Sequence, residues 1–293
     1  MGFRLHITEH VTLRQAVSAA GGKLAGNGDL AATAARDAEL LLLHTLGIPR
    51  STMYAYPGRL LSAKEQAAYT ATIERRMALE PVQYITGRQE FFGLEIEVAP
   101  GVLIPRPETE LLVEAVLQRL PHDQPLHLLD VGTGSGAIAV AVASRLPRAT
   151  VTAVDVSAAA LEIARRNVQR FQMEDRVRLM RSDLLSSLAA TEERFDAVLS
   201  NPPYVRLADR STLHPQVRDF EPAQALFAGE DGLEVYRRLI PAARAALVSR
   251  GLLAMEIGFG QSAAIAELLR GWLGVQIVDD LQGIPRVALA WRA

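Results

Sequence analysis

The tetrapeptide Asn201-Pro202-Pro203-Tyr204 has the chemistry to hold an amide or amino nitrogen. Such a nitrogen is planar and its lone pair is delocalised, so it attacks poorly unless it is gripped. The Asn201 side-chain oxygen and the Pro202 carbonyl are two acceptors that can take both of its N–H bonds. Pro202 and Pro203 donate no backbone hydrogen bond and fix φ, which makes the segment rigid and rich in acceptors. Tyr204 adds a flat face against which a planar group can lie. Asn-Pro is also a common turn start, and the same four residues could cap a strand, with Tyr204 as a packing residue.

A second stretch, Asp130-Val131-Gly132-Thr133-Gly134-Ser135-Gly136, ends an apolar run and opens a helix. Glycines let a ligand approach the backbone closely, and a helix N-terminus offers free N–H donors. Asp155 stands 23 residues after Gly132, at the end of the next apolar run. A carboxylate there can accept from both hydroxyls of a ribose, each charge-assisted bond contributing roughly 1.5–3 kcal/mol. Asp183 follows the third strand, where it could meet an adenine edge or cap a helix. These features point to a nucleoside-containing cofactor without naming it. Gly132, Gly134 and Ala137 also satisfy the dinucleotide pattern G-x-G-x-x-G/A, and a tight turn without any ligand is the simplest alternative.

The elements that must position these residues alternate. Leu126–Val131, Thr150–Asp155, Val177–Met180, Phe195–Ser200 and Gly251–Ile257 read as strands, and Ala137–Leu146, Ala158–Phe171, Leu233–Val248 and Ser262–Trp272 as helices. Strand, helix, strand in series predicts a parallel sheet with crossover helices. Val275–Val278 and Val287–Trp291 are too close for a crossover, so they read as an antiparallel hairpin. Asn201 then lies at the carboxyl edge of the sheet that carries the glycine turn, where open α/β folds bind ligands. Residues 205–231 show neither period and read as a long irregular connection, functional or disordered.

Residues 1–80 read as a helical domain. Apolar residues recur at helical spacing in Val11–Ala20, Ala35–Leu46 and Ala67–Leu79. Gly21-Gly22 and Gly47-x-Pro49 read as stops, Thr33 and Ser62 as N-caps, and Ser62-x-x-Glu65 as a capping box. This domain either recognises something or stabilises or dimerises the chain. Residues 81–106 read as a β-hairpin linker, with Phe91, Leu94, Ile96, Val98 and Val102–Ile104 extended and Gly93 and Pro100-Gly101 as turns. Pro105 and Pro107 start a helix from about Glu108 to Leu120. Residues 107–293 form the α/β domain.

Composition excludes much else. The chain has no cysteine, so disulfides, thiolate metal sites and a Cys nucleophile are absent. Of its 31 basic residues 29 are arginine, and lysine chemistry is left to Lys23 and Lys64. Neither a G-x-S-x-G elbow nor a G-x-x-x-x-G-K-[ST] loop occurs. His6, His10, His44, His122, His127 and His214 form no metal-binding spacing. A net charge of −2 argues against a phosphate backbone as the dominant partner. No apolar run approaches the ~20 residues that span a bilayer. Glu9 stands where a signal peptide needs an apolar core, and His6 breaks the Gly2-x-x-x-Ser/Thr lipidation pattern. A cytoplasmic monomer without stable nucleic-acid binding, membrane association or metal is expected.

Further motifs fall in a recognisable order: Pro81-Val82-Gln83-Tyr84-Ile85-Thr86-Gly87, Glu90-Phe91-Phe92-Gly93-Leu94, Leu103-Ile104-Pro105-Arg106-Pro107-Glu108-Thr109-Glu110, Phe220-Glu221-Pro222 and Asp231-Gly232-Leu233. With the glycine turn and Asn201–Tyr204 they resemble a class I S-adenosylmethionine-dependent methyltransferase of the amide- or amino-nitrogen type. More closely, the chain resembles the PrmC/HemK family, which methylates a glutamine side-chain nitrogen in peptide chain release factors. The resemblance is strong over residues 81–293; before that it rests on helical character and position. It implies a Rossmann-like α/β sheet of seven strands with an antiparallel end hairpin and a small N-terminal helical domain.

The resemblance also implies residue roles. Gly132, Thr133, Gly134, Ser135 and Gly136 would lie along the methionine part of S-adenosylmethionine, and Asp155 would bind its ribose. Asp183 and Leu184 would border the adenine, although the family often carries a bulky aromatic where Leu184 stands. Asn201, which also borders the cofactor, would hold the glutamine amide with Pro202, Pro203 and Tyr204. Phe91 or Phe92 would wall the pocket or pack in the hairpin core. Arg106 would tie the linker to the site or pair with Glu108 or Glu110. The expected reaction is direct in-line transfer to the N5 nitrogen of the glutamine in a GGQ motif, with S-adenosyl-L-homocysteine as product. Adenine amino methylation on DNA or RNA is the alternative, because the same tetrapeptide suits an exocyclic amino group. A nucleotide-binding oxidoreductase fits the glycines but leaves Asn201–Tyr204 unexplained, and a non-catalytic binding module is a further possibility.

Overall fold

The computed structural model describes residues 11–293. Gly2, His6, Glu9 and His10, named above, lie outside the described residues. The chain divides into two compact units: the part up to Gly87 together with His214–Phe220, and Arg88–Leu213 together with Glu221–Ala293. The sequence boundaries at 80 and 106 follow changes of element type, whereas compactness divides the chain at Gly87.

The first unit holds α1 (Leu13–Ala25), α2 (Ala34–Leu46), α3 (Arg50–Ala55), α4 (Ala63–Met77) and α5 (Val82–Thr86). Ser62 and Glu65 make the expected capping box at α4, and Gly47 ends α2 in the left-handed conformation. One expectation fails here and a second holds only in part. Gly21-Gly22 does not stop α1, which continues to Ala25. A Cβ on Gly21 would lie 3.7 Å from the Ala35 Cα, so the small residue serves close packing of α1 on α2. Thr33 occupies the N-cap position of α2 as expected, but its side chain makes no capping bond; its hydroxyl donates to the Asp37 carboxylate at 2.8 Å instead. Asp37 and Arg76 form a buried ion pair at 2.8 Å, and Arg76 Nη1 donates to the Glu80 carbonyl and to Gln216 Oε1. A buried charge keeps its place only when so fully partnered.

The second unit opens with the hairpin β1 (Arg88–Phe91) and β2 (Leu94–Glu97), followed by α6 (Pro107–Leu117). Val102–Ile104 joins no strand. The main elements are β3 (Leu126–Val131), α7 (Ala137–Arg145), β4 (Ala149–Asp155), α8 (Ala158–Arg170), β5 (Val177–Arg181) and β6 (Phe195–Ser200). Residues 205–231, expected to be irregular, hold a 3-10 turn over Leu207–Thr212, α9 (Pro215–Phe220), which belongs to the first unit, and α10 (Ala223–Leu226), and Val205 bridges Phe227. Elements this short are invisible to a helical period, which needs a window of about 11–18 residues. The chain closes with α11 (Glu234–Ala246), β7 (Leu247–Glu256), α12 (Ser262–Leu268), β8 (Leu273–Asp279) and β9 (Pro285–Trp291).

Seven strands form one sheet in the order β5-β4-β3-β6-β7-β9-β8, parallel except for β9, which runs antiparallel to β7 and β8. Side chains alternate across it. Leu129, Val131, Val198, Leu253 and Met255 face one core with Tyr236, Leu239 and Ile265 of α11 and α12. The chain winds outward from β3 to β5 and then returns to β6 on the other side of β3. That reversal opens a crevice beyond the carboxyl ends of β3 and β6.

Candidate active site

Five parallel strands deliver polar groups to this edge. The glycine turn leaves β3, Asp155 ends β4, Asp183 follows β5, Asn201 follows β6 and Glu256 ends β7. A cavity of about 320 Å³ opens there. Of the expected residues it is lined by Gly132, Thr133, Gly134, Ser135, Asp155, Asp183, Leu184, Asn201 and Pro203. Leu103, Pro105 and Thr109, from the segment that enters α6, line it as well.

Gly136, Pro202 and Tyr204 are not among the lining residues. Gly136 packs against α8: its φ is +81°, and a Cβ there would lie 3.2 Å from the Ala164 Cβ. Pro202 is buried. Tyr204 turns its phenol to Glu256 at 3.2 Å and packs on Gly258, where an added Cβ would lie 2.9 Å from Tyr204 Cδ2. Phe91 is fully buried, the Phe92 ring lies under the Arg145 guanidinium, and neither lines the cavity.

Four of the turn's backbone donors are used within the protein, and the cavity's other lining residues at the start of α7 include Ser135, Ala137 and Ile138. Gly132 and Thr133 both donate to the Val154 carbonyl, and Gly136 donates to the Thr133 carbonyl. Gly134 N–H donates to Asp155 Oδ2 at 2.9 Å, and Ser157 N–H donates to Asp155 Oδ1 at 2.8 Å. Each carboxylate oxygen therefore keeps lone-pair capacity for a ligand. Burial pushes Asp155 up from its ordinary value, and these backbone donors pull it back. A Cβ on Gly132 or Gly134 would meet nothing within 4 Å. The Ser135 hydroxyl is buried and has no hydrogen-bond partner. Behind the turn, burial pushes Asp130 up to about 7, while the Thr133 hydroxyl, donating at 2.6 Å, pulls it down. Asn167 of α8 donates to the Ser135 carbonyl and to Glu97, fixing the turn to the hairpin. Asp183 pairs with Arg238 at 2.6 Å.

Asn201 is held from behind. Its Nδ2 donates to Thr109 Oγ1 at 3.0 Å, and Thr109 Oγ1 donates to Glu256 Oε2 at 2.6 Å. Glu256 is 2% exposed. Burial pushes its carboxyl up to about 7, with Thr109 and Tyr204 pulling it down. Gln261 Nε2 donates to the Tyr204 and Gly232 carbonyls, which fixes the exit of the tetrapeptide. Arg106 pairs with buried Glu221 at 2.5 Å, rather than with Glu108 or Glu110. Glu221 also accepts the Ile104 N–H, and its carboxyl is pushed up by burial despite Arg106. Sequence reasoning passed over Thr109, Glu221, Glu256 and Gln261 as participants. One signal was available: Glu256 is the lone acid in the apolar strand Leu252-Leu253-Ala254-Met255-Glu256-Ile257.

The family described as the PrmC N-terminal domain matches residues 15–87, and the methyltransferase small domain matches residues 107–217. The release factor glutamine methyltransferase of Koribacter versatilis is 46% identical over 252 residues, covering 86% of this chain and 89% of that one. Its namesake in Geobacter sulfurreducens is 41% identical over 278 residues, covering 94% and 95%. The chain belongs to the release factor glutamine methyltransferase family. Among solved structures, the hMettl16 catalytic domain in complex with a 3′UTR hairpin matches with a TM-score of 0.54 at 20% identity, over 80% of this chain and 84% of that one. The T. thermophilus 16S rRNA methyltransferase RsmC, in complex with AdoMet and guanosine, matches with a TM-score of 0.53 at 21% identity, over 70% and 50%. At such identity these two speak to the fold alone: this release factor glutamine methyltransferase family member shares the methyltransferase sheet. Among its described residues no helix is long and apolar enough to cross a membrane, and no group of three or more His, Asp or Glu could hold a metal ion.

Proposed function

We propose that this chain transfers a methyl group from S-adenosylmethionine to the side-chain amide nitrogen, N5, of the glutamine in the Gly-Gly-Gln motif of peptide chain release factors. The observation that carries this reading is that Asn201 and the glycine turn line one cavity, with Asn201 anchored through its own NH2. The cavity suits the cofactor. Gly132 and Gly134 leave room where any side chain would intrude, and the unpartnered Ser135 hydroxyl is available to it. Asp155 retains acceptor capacity for ribose hydroxyls, and Asp183 and Leu184 would border the adenine. When bound, S-adenosylmethionine supplies a methyl group already activated on a sulfonium.

The chain's own residues have a positioning task. Asn201 Oδ1 on the cavity wall and the Pro202 carbonyl, whose residue lies outside that lining, are assigned the two N–H bonds of the glutamine amide and turn its nitrogen toward the methyl. Alignment of this kind lowers a barrier by ~7–11 kcal/mol. The amide proton leaves N5 after methyl transfer, when the nitrogen is cationic and acidic, and passes to water. Asn201 has no basicity to take it at neutral pH. Tyr204 supports the loop through Glu256 instead of offering its face to the substrate. Residues 1–80 are the part that recognises the release factor, and the enzyme works as a cytoplasmic monomer.

Asn201→Ala tests the reading. It should lower kcat roughly a hundred- to a thousandfold, as loss of one preorganised hydrogen-bonding group does, while calorimetry finds cofactor still bound. Near-normal turnover in this variant would refute the proposal. No observation favours adenine methylation, since the likeness to RNA methyltransferases extends to the fold alone.

A further inference from the structure

A side-chain amide has two ends of opposite polarity, and a pocket that must accept two N–H bonds needs the oxygen end. Nothing in the shape of Asn201 decides which end turns inward, because oxygen and NH2 are nearly the same size. The hydrogen bonds behind it do decide. Thr109 Oγ1 carries one proton and stands between two partners, Glu256 Oε2 at 2.6 Å and Asn201 Nδ2 at 3.0 Å. An ionised carboxylate can only accept. Thr109 must then spend its proton on Glu256 and show only lone pairs to Asn201. Asn201 answers with its NH2, which leaves Oδ1 for the cavity that this residue lines.

We propose that Thr109 and Glu256 are positioning residues that set the polarity of the Asn201 amide, so that its oxygen and not its NH2 meets the substrate nitrogen. This rests on the reading of Asn201 given above. A protonated Glu256 can reverse the chain. Its O–H donates to Thr109, Thr109 donates to Asn201 Oδ1, and the amide turns over to present two N–H bonds to a substrate that also presents N–H. Repulsion of like ends then keeps the bound substrate nitrogen out of line with the methyl, and turnover falls.

The groups facing Glu256 come from four elements. Thr109 and Glu108 belong to α6, Tyr204 to the loop after β6, Tyr236 to α11 and Arg286 to β9. Tyr204 donates to Glu256 Oε1, and Tyr236 donates to the Glu256 backbone carbonyl at 2.8 Å. Glu108 opposes ionisation and Arg286 favours it, both less than burial does. Burial places the Glu256 titration near pH 7, within reach of experiment.

Two measurements on the full chain test the inference. The first does not depend on activity. The Asn201 side-chain NH2 resonances, assigned by their loss in Asn201→Asp, should titrate together around neutral pH in the wild type. They should stop titrating in Glu256→Gln and in Thr109→Val. Resonances that ignore pH in the wild type would overturn the proposal even if the enzyme methylates release factors as described. The second is kcat against pH on a Gly-Gly-Gln peptide. Wild type should lose activity as pH falls through 7, Thr109→Ser should keep both the rate and this acid limb, and Thr109→Val should lose at least tenfold in kcat and the limb, with cofactor affinity unchanged. A Thr109→Val enzyme with wild-type kcat and limb would sink the inference alone, and a wild type that binds cofactor yet methylates no peptide would sink the functional reading.

Discussion

Asp130 of β3 and Glu256 of β7 are carboxyl groups buried at the ends of strands that flank β6, and both are pushed up to about 7 by loss of water. A carboxyl with a raised folded-state pKa favours the folded chain below its unfolded pKa, about 4, and that contribution is lost as pH rises through 7. The lost contribution is on the order of 3 kcal/mol for each group. Glu256→Gln should therefore raise Tm relative to wild type far more at pH 8 than at pH 5. An offset that is the same at both values would show that Glu256 ionises without cost. On the account above that cost is tolerated because the ionised form orients Asn201. Much of the site was legible at this scale, since Gly132, Asp155 and Asn201 stand out by type and spacing. Thr109 and Glu256 did not, because a hydrogen-bond relay 147 residues apart in the chain leaves no local pattern.

The elements account for which glycines face ligand and which face protein. Gly132 has a φ of +74° with open space before it, whereas Gly136 has a φ of +81° and lies against Ala164 of α8. A β-carbon in the left-handed region costs roughly 1–2 kcal/mol at either position. Gly136→Ala adds a clash with α8, so it should lower Tm more than Gly132→Ala. Gly132→Ala should weaken cofactor binding more than Gly136→Ala, as read by calorimetry. The reverse ranking would mean that Gly136 is a ligand contact after all. The strands Leu126–Val131 and Phe195–Ser200 were readable to the residue, because short, mostly apolar runs bounded by turn residues mark strands buried on both faces. Gly21-Gly22 misled because a glycine that lets two helices approach looks the same in sequence as one that ends a helix. The short helices after β6 carry no period to read.

At the scale of the molecule, every residue lining the cavity belongs to the second unit. The chemistry is thus assembled without the helical unit, whose buried Asp37–Arg76 pair and apolar core serve its own stability. Binding area remote from the reacting atoms raises specificity for a large substrate. Deleting residues 1–80 should weaken turnover of an intact release factor far more than turnover of a short Gly-Gly-Gln peptide, with cofactor binding as the control for a folded catalytic unit. Equal loss on both substrates would assign those residues to stability instead.

The most direct measurement locates the transferred methyl. The chain is incubated with labelled S-adenosylmethionine and, together, a release factor, a DNA fragment and an RNA, and the products are resolved by mass spectrometry. The account predicts one methyl on the side-chain nitrogen of the Gly-Gly-Gln glutamine and none on either nucleic acid. Label on an adenine, or an unmodified glutamine beside consumed cofactor, would contradict it.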